Sequence, residues 1–293
     1  MEPLTVLITG STGGIGQELA LKLAADGHRV LVHGRSSEKV ARTLELVKEA
    51  STTGEVEGYL ADLSTLEGVY SLAREVKQKH SSLDVLINNA GIFAGKKERQ
   101  ANEHNVELTF MLSVLAPYLL TRELEGLLEE SGQGRIINTS SYMHHFALGA
   151  QKLDFGFIDS FSPWRAYNNS KLYTIWLTRA LAREYTDRGS RLTINAYHPG
   201  LVKTNIGGSA DLKNPITRVF GSLMDRVAIS PQEGAETGHY LAQSSQVAGV
   251  SGSYFDGKKK ARVSAHGYSQ AVADRLLEYC DTVLRSYRAT LGK

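Results

Sequence analysis

Tyr167 and Lys171 stand four residues apart in a stretch with helical periodicity that begins near Pro163. That spacing brings both side chains out on one face of a helix. A free tyrosine ionises near pH 10, and a neighbouring ammonium favours the phenolate. A shift of about three pH units corresponds to roughly 4 kcal/mol. Such a pair can pass a proton to or from an alcohol or carbonyl oxygen. Ser141, at the end of Gly134-Arg135-Ile136-Ile137-Asn138-Thr139-Ser140-Ser141, can offer a hydroxyl to the charge that develops on that oxygen, with Ser140 as the nearby competitor. Tyr-x-x-x-Lys alone is common by chance. Its weight comes from standing after a Ser-Ser strand end and before His198-Pro199-Gly200.

A second group of residues suits an anion. Thr9-Gly10-Ser11-Thr12-Gly13-Gly14-Ile15-Gly16 lies between an apolar run and an amphipathic one. Glycines there allow a tight turn and let backbone amides approach a pyrophosphate, while the helix N-terminus adds partial positive charge. Glycines at 10, 14 and 16 fit one known spacing of this dinucleotide turn, and those at 10, 13 and 16 fit another. The next apolar run ends at His33-Gly34-Arg35-Ser36, without the acid that would take an NAD ribose hydroxyl. Arg35 is suited instead to the 2′-phosphate of NADP, a charge-assisted contact that contributes roughly 1.5 to 3 kcal/mol.

Asp62 in Ala61-Asp62-Leu63-Ser64 would otherwise cap a helix. Ser64 with Glu67 makes a plausible capping box, which leaves Asp62 for the adenine amino group. Asn88-Asn89-Ala90-Gly91 closes a further apolar run. It falls at the carboxyl edge, where doubly wound sheets bind ligands.

The elements that must hold these residues alternate short β-branched runs with longer amphipathic segments, the pattern of βαβ units around a parallel sheet. Strands are expected at Leu4–Thr9, Arg29–His33, Val56–Leu60, Asp84–Asn88, Arg135–Thr139, Leu192–Ala196 and Ser253–Phe255. Continuous apolar triplets such as Val6-Leu7-Ile8, Val30-Leu31-Val32 and Val85-Leu86-Ile87 indicate a sheet covered on both faces. Gly27 should end the first helix, and Ser230-Pro231-Gln232-Glu233 should begin a later one. With no repeat, low-complexity tract or flexible linker, one domain over residues 1–293 is the simplest account. Two segments, 142–163 and 198–227, exceed ordinary connection lengths and are candidates for a substrate lid.

Bulk properties narrow the function classes. The 293 residues carry 42% hydrophobic side chains and a formal charge of only +2, enough for a sizeable core and too balanced for nucleic acid as main partner. Strand-like residues begin at Leu4, and no stretch is long and apolar enough for a membrane span, so a soluble cytoplasmic protein is expected. The one cysteine, Cys280, lies in an apolar helical stretch and reads as a buried inert thiol. His144-His145 has no ligand companions at metal spacing and reads as a loop or pocket feature. Lys258-Lys259-Lys260 reads as a solvated turn.

Together the glycine turn, Asp62, Asn88 to Gly91, Ser141, Tyr167, Lys171 and Pro199-Gly200 resemble the short-chain dehydrogenase/reductase family over nearly the whole chain. Gly252-Ser253-Tyr254-Phe255 before a last helix is similar to its retinol-dehydrogenase-like members. The resemblance implies a doubly wound parallel Rossmann-type sheet of about seven strands, in the order 3-2-1-4-5-6-7. It implies an NADP(H)-dependent alcohol dehydrogenase or carbonyl reductase without a metal, with NAD(H) as the other possible cofactor. Tyr167 is then the acid/base, Ser141 binds the carbonyl, and Lys171 holds the nicotinamide ribose.

On the same resemblance Gly10, Ser11, Gly14, Ile15, Gly16, Arg35, Asp62, Leu63, Asn89, Ala90, Gly91, Tyr167 and Lys171 bind the cofactor, and Val202 and Thr204 hold its carboxamide. Where the family has an asparagine that anchors a water leading to the lysine, this chain aligns Ser113. Met143, Phe146, Phe155, Phe157, Phe161, Trp164, Ile206, Val219, Phe220 and Met224 are candidates to line a pocket for a bulky apolar substrate. A homodimer is compatible with the helical surfaces. Two other readings remain: a non-catalytic NADP sensor or scaffold, and a sugar-nucleotide epimerase, for which the region after His198 is short.

Overall fold

The computed structural model describes residues 2–93, 98–152, 154–200, 229–263 and 269–291. Eight of the strands in these residues form one sheet in the order β3-β2-β1-β4-β5-β6-β7-β8. They are β1 (Thr5–Ile8), β2 (Arg29–Gly34), β3 (Val56–Leu60), β4 (Val85–Asn88), β5 (Arg135–Thr139), β6 (Thr193–His198), β7 (Tyr254–Asp256) and β8 (Lys259–Lys260). The first seven pair in parallel in the expected order. The eighth is a correction: Lys259 and Lys260 are not merely a turn but pair antiparallel with β7 across a bend at Gly257, whose φ is +56°. Exposed lysines suit an edge strand, because their charge opposes pairing with another chain.

Alternate residues of each strand serve opposite faces, as the two-residue period requires. Val6, Ile8, Val30, Val32, Val85, Ile87 and Ile137 face one apolar layer with helices α1 (Gly14–Ala25) and α2 (Ser37–Ala50). Leu7, Leu31, Leu86 and Ile136 face the other, with α3 (Leu66–Lys79) and the long helical run that follows β4. That run consists of α4 (Leu108–Phe110), a π-helical segment Met111–Leu115, and α5 (Ala116–Glu130). Helix α6 (Pro163–Asp187) completes this second layer, and α8 (Gln270–Leu291) packs over it. Helix α7 (Pro231–Gln243) lies beside α1.

Local chemistry sets the helix starts. Ser162 accepts a hydrogen bond from Arg165 N with Pro163 at the first helical position, and Ser230 and Glu233 form the expected capping box. Gly27 follows the end of α1 with φ +88°. At α3 the expected cap is corrected: Thr65, not Ser64, accepts from Gly68 N at 3.0 Å. Leu66, the first buried position of that helix, fixes where it starts, and Thr65 is the residue just before it.

Strand order reverses between β1 and β4, whose carboxyl ends carry the glycine turn and Asn88 to Gly91. A crevice at that switch point is where doubly wound sheets take ligands.

Candidate active site

Backbone conformation decides between the two glycine spacings. Gly10 and Gly14 have φ +65° and +54°, the left-handed region. A Cβ on Gly10 would meet Ala90 Cα at 2.9 Å, and one on Gly16 would meet the Gly10 carbonyl oxygen at 2.5 Å. Gly13 has an extended backbone and open space beside it. The turn therefore needs glycine at 10, 14 and 16.

Its neighbours brace it. Thr9 Oγ1 accepts from Asn89 N at 2.9 Å and Ala90 N at 3.0 Å, while Asn89 Nδ2 donates to the carbonyls of Thr9 (3.0 Å) and Gly10 (3.3 Å). Ser11 is a correction to the expected cofactor contacts. Its buried hydroxyl donates to Ile8 O and accepts from His33 N, both at 2.9 Å, so it ties β1 to β2 rather than facing a ligand.

His33 braces the turn, a role its place in the sequence does not announce. Its Nδ1 accepts from Gly10 N at 3.1 Å, which leaves the proton on Nε2, 3.2 Å from Ala61 O. A neutral ring in one tautomer thus satisfies both neighbours, and burial holds its pKa at about 4. The available signal was a histidine ending an apolar strand beside Gly34.

The sign of the acid response follows. Unfolded, His33 takes a proton near pH 6.5; folded, it resists until about pH 4. Stability from its neutral form is complete above pH 6.5 and is lost as pH falls from there towards 4, by up to ~3 kcal/mol. Urea denaturation of His33→Gln should show a visibly flatter pH dependence over that window than the wild type; equal slopes would refute the assignment.

A cavity of about 760 Å³ runs from this turn along the crevice. Gly10, Gly14, Ile15, Gly16, Arg35, Asp62, Leu63, Asn89, Ala90 and Gly91 line it as the sequence suggested, and Thr12, Lys39, Phe93 and Leu112 join them. Arg35 and Lys39 are exposed and sit at one end, Lys39 on the first turn of α2. Asp62 stands on the rim with Oδ1 accepting from Ser64 N at 2.9 Å. The glycines leave backbone amides at the α1 N-terminus facing open space, so the cradle fits a pyrophosphate and the paired cations fit a further phosphate.

The other end leads to the proton-handling group. Phe93 meets the Tyr167 ring edge-on at 5.5 Å between centroids, and Lys171 Nζ lies 5.7 Å from the same ring. A Cβ on Gly91 would be 3.4 Å from that Nζ, so glycine keeps the approach to the amine open. Lys171 is 5% exposed, donates to Thr139 O at 3.1 Å, and has its pKa lowered by burial to about 8. Ser140 is eliminated as the oxyanion donor, since its hydroxyl donates to Lys171 O at 2.7 Å. Ser141 lies close enough to the Tyr167 phenol to favour the phenolate, but burial outweighs this and raises the phenol above its usual range. The protein's own groups therefore bring Ser141, Tyr167 and Lys171 together without lowering the phenol pKa, contrary to expectation.

Ser113 lies in the π-helical segment, a feature often found at functional positions. Thr174 Oγ1 takes its carbonyl at 2.9 Å, and its own buried hydroxyl has no hydrogen-bond partner among the described residues. Around the mouth, Phe146 and Trp164 are exposed and Met143 half-buried. Phe155 and Phe157 are corrections, for both belong to the core. Phe161 packs against that core from a half-buried position.

Val202, Thr204, Ile206, Val219, Phe220 and Met224, with most of the 198–227 segment, lie outside the described residues. Cys280 is fully buried, and burial raises its thiol pKa. Among the described residues no cluster of His, Cys, Asp or Glu could hold a metal, and no helix is long and apolar enough to cross a membrane.

Switch-point crevice, glycine cradle and Ser-Tyr-Lys group define a nucleotide-dependent oxidoreductase of the Rossmann class. Residues 4–214 match the short chain dehydrogenase family model, and the chain belongs to that family. It is similar to human retinol dehydrogenase 14, with 32% identity covering 97% of this chain and 87% of that one. Human polyprenol dehydrogenase shares 30% identity over 92% of this chain and 83% of its own. A solved structure from Beutenbergia cavernae with bound NADP at low occupancy superposes with TM-score 0.68 at 27% identity, over 86% of this chain and 94% of that one.

Proposed function

We propose that the protein is an NADP(H)-dependent oxidoreductase acting on a carbonyl or alcohol of a hydrophobic small molecule, with Tyr167 as general acid/base. The observation that carries this reading is the placement of Ser141 and the buried Lys171 beside the Tyr167 phenol, whose ring meets Phe93, a residue that lines the same cavity as Arg35 and Lys39. Bound NADP(H) supplies the hydride, and its oxidised ring supplies a positive charge that favours the phenolate.

Arg35 and Lys39 hold the 2′-phosphate, Asp62 the adenine amino group, and the α1 N-terminus the pyrophosphate. Lys171 holds the ribose hydroxyls. Ser141 Oγ donates to the substrate oxygen and fixes it against Tyr167 Oη. In reduction the phenol gives that oxygen its proton as the carbon takes hydride; in oxidation the phenolate removes it. Exposed Tyr142, Phe146, Leu148 and Trp164 near this end favour an apolar substrate, in keeping with relatives named for retinol and polyprenol.

The test is NADPH consumption with a panel of hydrophobic aldehydes and ketones. Turnover of at least one, much faster than with small polar carbonyls, is the expected result. Tight NADPH binding with no turnover across the panel would favour the sensor or scaffold reading instead.

A further inference from the structure

We propose that His144 is a positioning residue for the reaction: its Nδ1–H holds the Ser141 carbonyl, and it is the inner end of a hydrogen-bond chain through Tyr254 and His198 to Asp256 on β7. The inference rests on the proposed function, because it assigns a role to a residue that touches none of the reacting atoms.

Ser141 stands just before a five-residue 3₁₀ helix, Tyr142–Phe146. Such short helices have poor hydrogen-bond geometry and are weak anchors by themselves. Ser141 Oγ accepts from Met143 N at 3.2 Å, and Ser141 O accepts from His144 N at 3.1 Å. The fully buried His144 ring adds a stronger tie, with Nδ1 2.7 Å from the same carbonyl oxygen.

One carbonyl sets the polarity of the whole chain. A carbonyl only accepts, so His144 Nδ1 must carry the proton. Nε2 is then a bare lone pair, and it is buried with no partner among the described residues. Tyr254 Oη lies 3.3 Å from His144 Nδ1 and 2.7 Å from His198 Nδ1. Because His144 already donates, Tyr254 accepts from it and gives its own proton to His198. The proton of neutral His198 is left on Nε2, 3.4 Å from Asp256 Oδ1.

Three residues from β6 and β7 thus back one peptide at the end of β5. The direction holds across ordinary pH, since burial keeps His144 neutral to about pH 4, and His145, His198 and Arg179 nearby disfavour another positive charge. Ser141 Oγ is the group that meets Tyr167, so slack in this peptide moves a hydroxyl whose placement matters to the proton transfer. A misplacement of about 1 Å in a reacting array can cost on the order of a hundredfold in rate.

The experiment compares full-length wild type with His144→Leu, which removes the donor, and His144→Asn, whose Nδ2 can donate from a similar position. His144→Leu should lower kcat about 10- to 100-fold. KM and NADPH affinity should stay nearly unchanged. The acid limb of the alcohol-oxidation pH profile should move to higher pH, because the phenolate loses part of the Ser141 hydrogen bond. His144→Asn should restore most of both. Should His144→Leu fail to fold, His144→Asn and the nitrogen-15 histidine spectrum of the wild type still decide the hydrogen bond.

An unchanged kcat and pH limb in these variants, with only a lower thermal midpoint, would overturn the proposal. The nitrogen-15 histidine spectrum of the wild type gives a readout independent of turnover. The proton of His144 is expected on Nδ1, and finding it on Nε2 would also overturn the assignment. A wild type that binds NADPH but reduces nothing would refute the proposed function, and that spectrum would still decide the hydrogen bond.

Discussion

Tyr167→Phe is expected to lower turnover by about a thousandfold or more while leaving NADPH affinity within a few-fold of wild type. General acid/base catalysis by one positioned group contributes roughly 10² to 10⁴ in rate, and no other phenol is in contact with both Ser141 and Phe93 among the described residues. Phenylalanine keeps the ring that packs edge-on against Phe93 and removes only the oxygen, so packing and the cofactor crevice should survive. Steady-state kinetics with the best aldehyde of the panel, together with NADPH fluorescence titration, measures both quantities. Retention of a tenth or more of the wild-type rate would remove Tyr167 from the chemistry. An equal loss of cofactor binding would mean that the phenol serves mainly as a ligand contact.

The second large effect concerns cofactor choice. Arg35→Ala should weaken NADPH binding about 10- to 100-fold and leave NADH binding nearly unchanged, since a charge-assisted hydrogen bond to phosphate contributes roughly 1.5 to 3 kcal/mol. Lys39→Ala should produce a smaller loss of the same kind, because a lysine acts as a single point charge whereas arginine can engage two phosphate oxygens. Both side chains are exposed at the cavity rim, so neither replacement disturbs the core. Dissociation constants for both nucleotides at low and high salt test the pair. Equal weakening of NADPH and NADH would refute the 2′-phosphate assignment, and the salt dependence of NADPH binding should diminish in each variant.

Much of this molecule was legible in one dimension. Seven strands fall within a residue or two of the runs that signalled them, and Arg135–Thr139 matches throughout. Helix α6 starts at Pro163 as expected, which makes the Tyr167–Lys171 pairing a local consequence of helical pitch. The small misses have local causes as well. Ser64 and Thr65 are both competent caps, and the choice between them depended on which neighbour was buried. Two exposed lysines signalled solvent, and their pairing with β7 depended on a bend whose partner strand had first to be placed.

Other features had no local signature. Ser140 and Ser141 are chemically identical in sequence, and only the approach of α6 to the end of β5 shows that one binds a helix carbonyl and the other stands beside a phenol. Ser11 has the place of a ligand contact in the glycine turn, but its hydroxyl is taken by β2. The role of His33 has no local signal because its two partners, Gly10 and Ala61, come from different loops.

From its order of residues alone, this protein has its elements, their approximate limits, the sheet covered on both faces, and the residue types that mark its family, because each depends on periodicity or spacing within a short stretch. Tertiary structure decided which glycines are obligatory, which serine faces the phenol, and which tautomers His33 and His144 adopt. Those outcomes depend on pairs of groups separated by tens of residues, and their distances are set only when the strands take their places side by side.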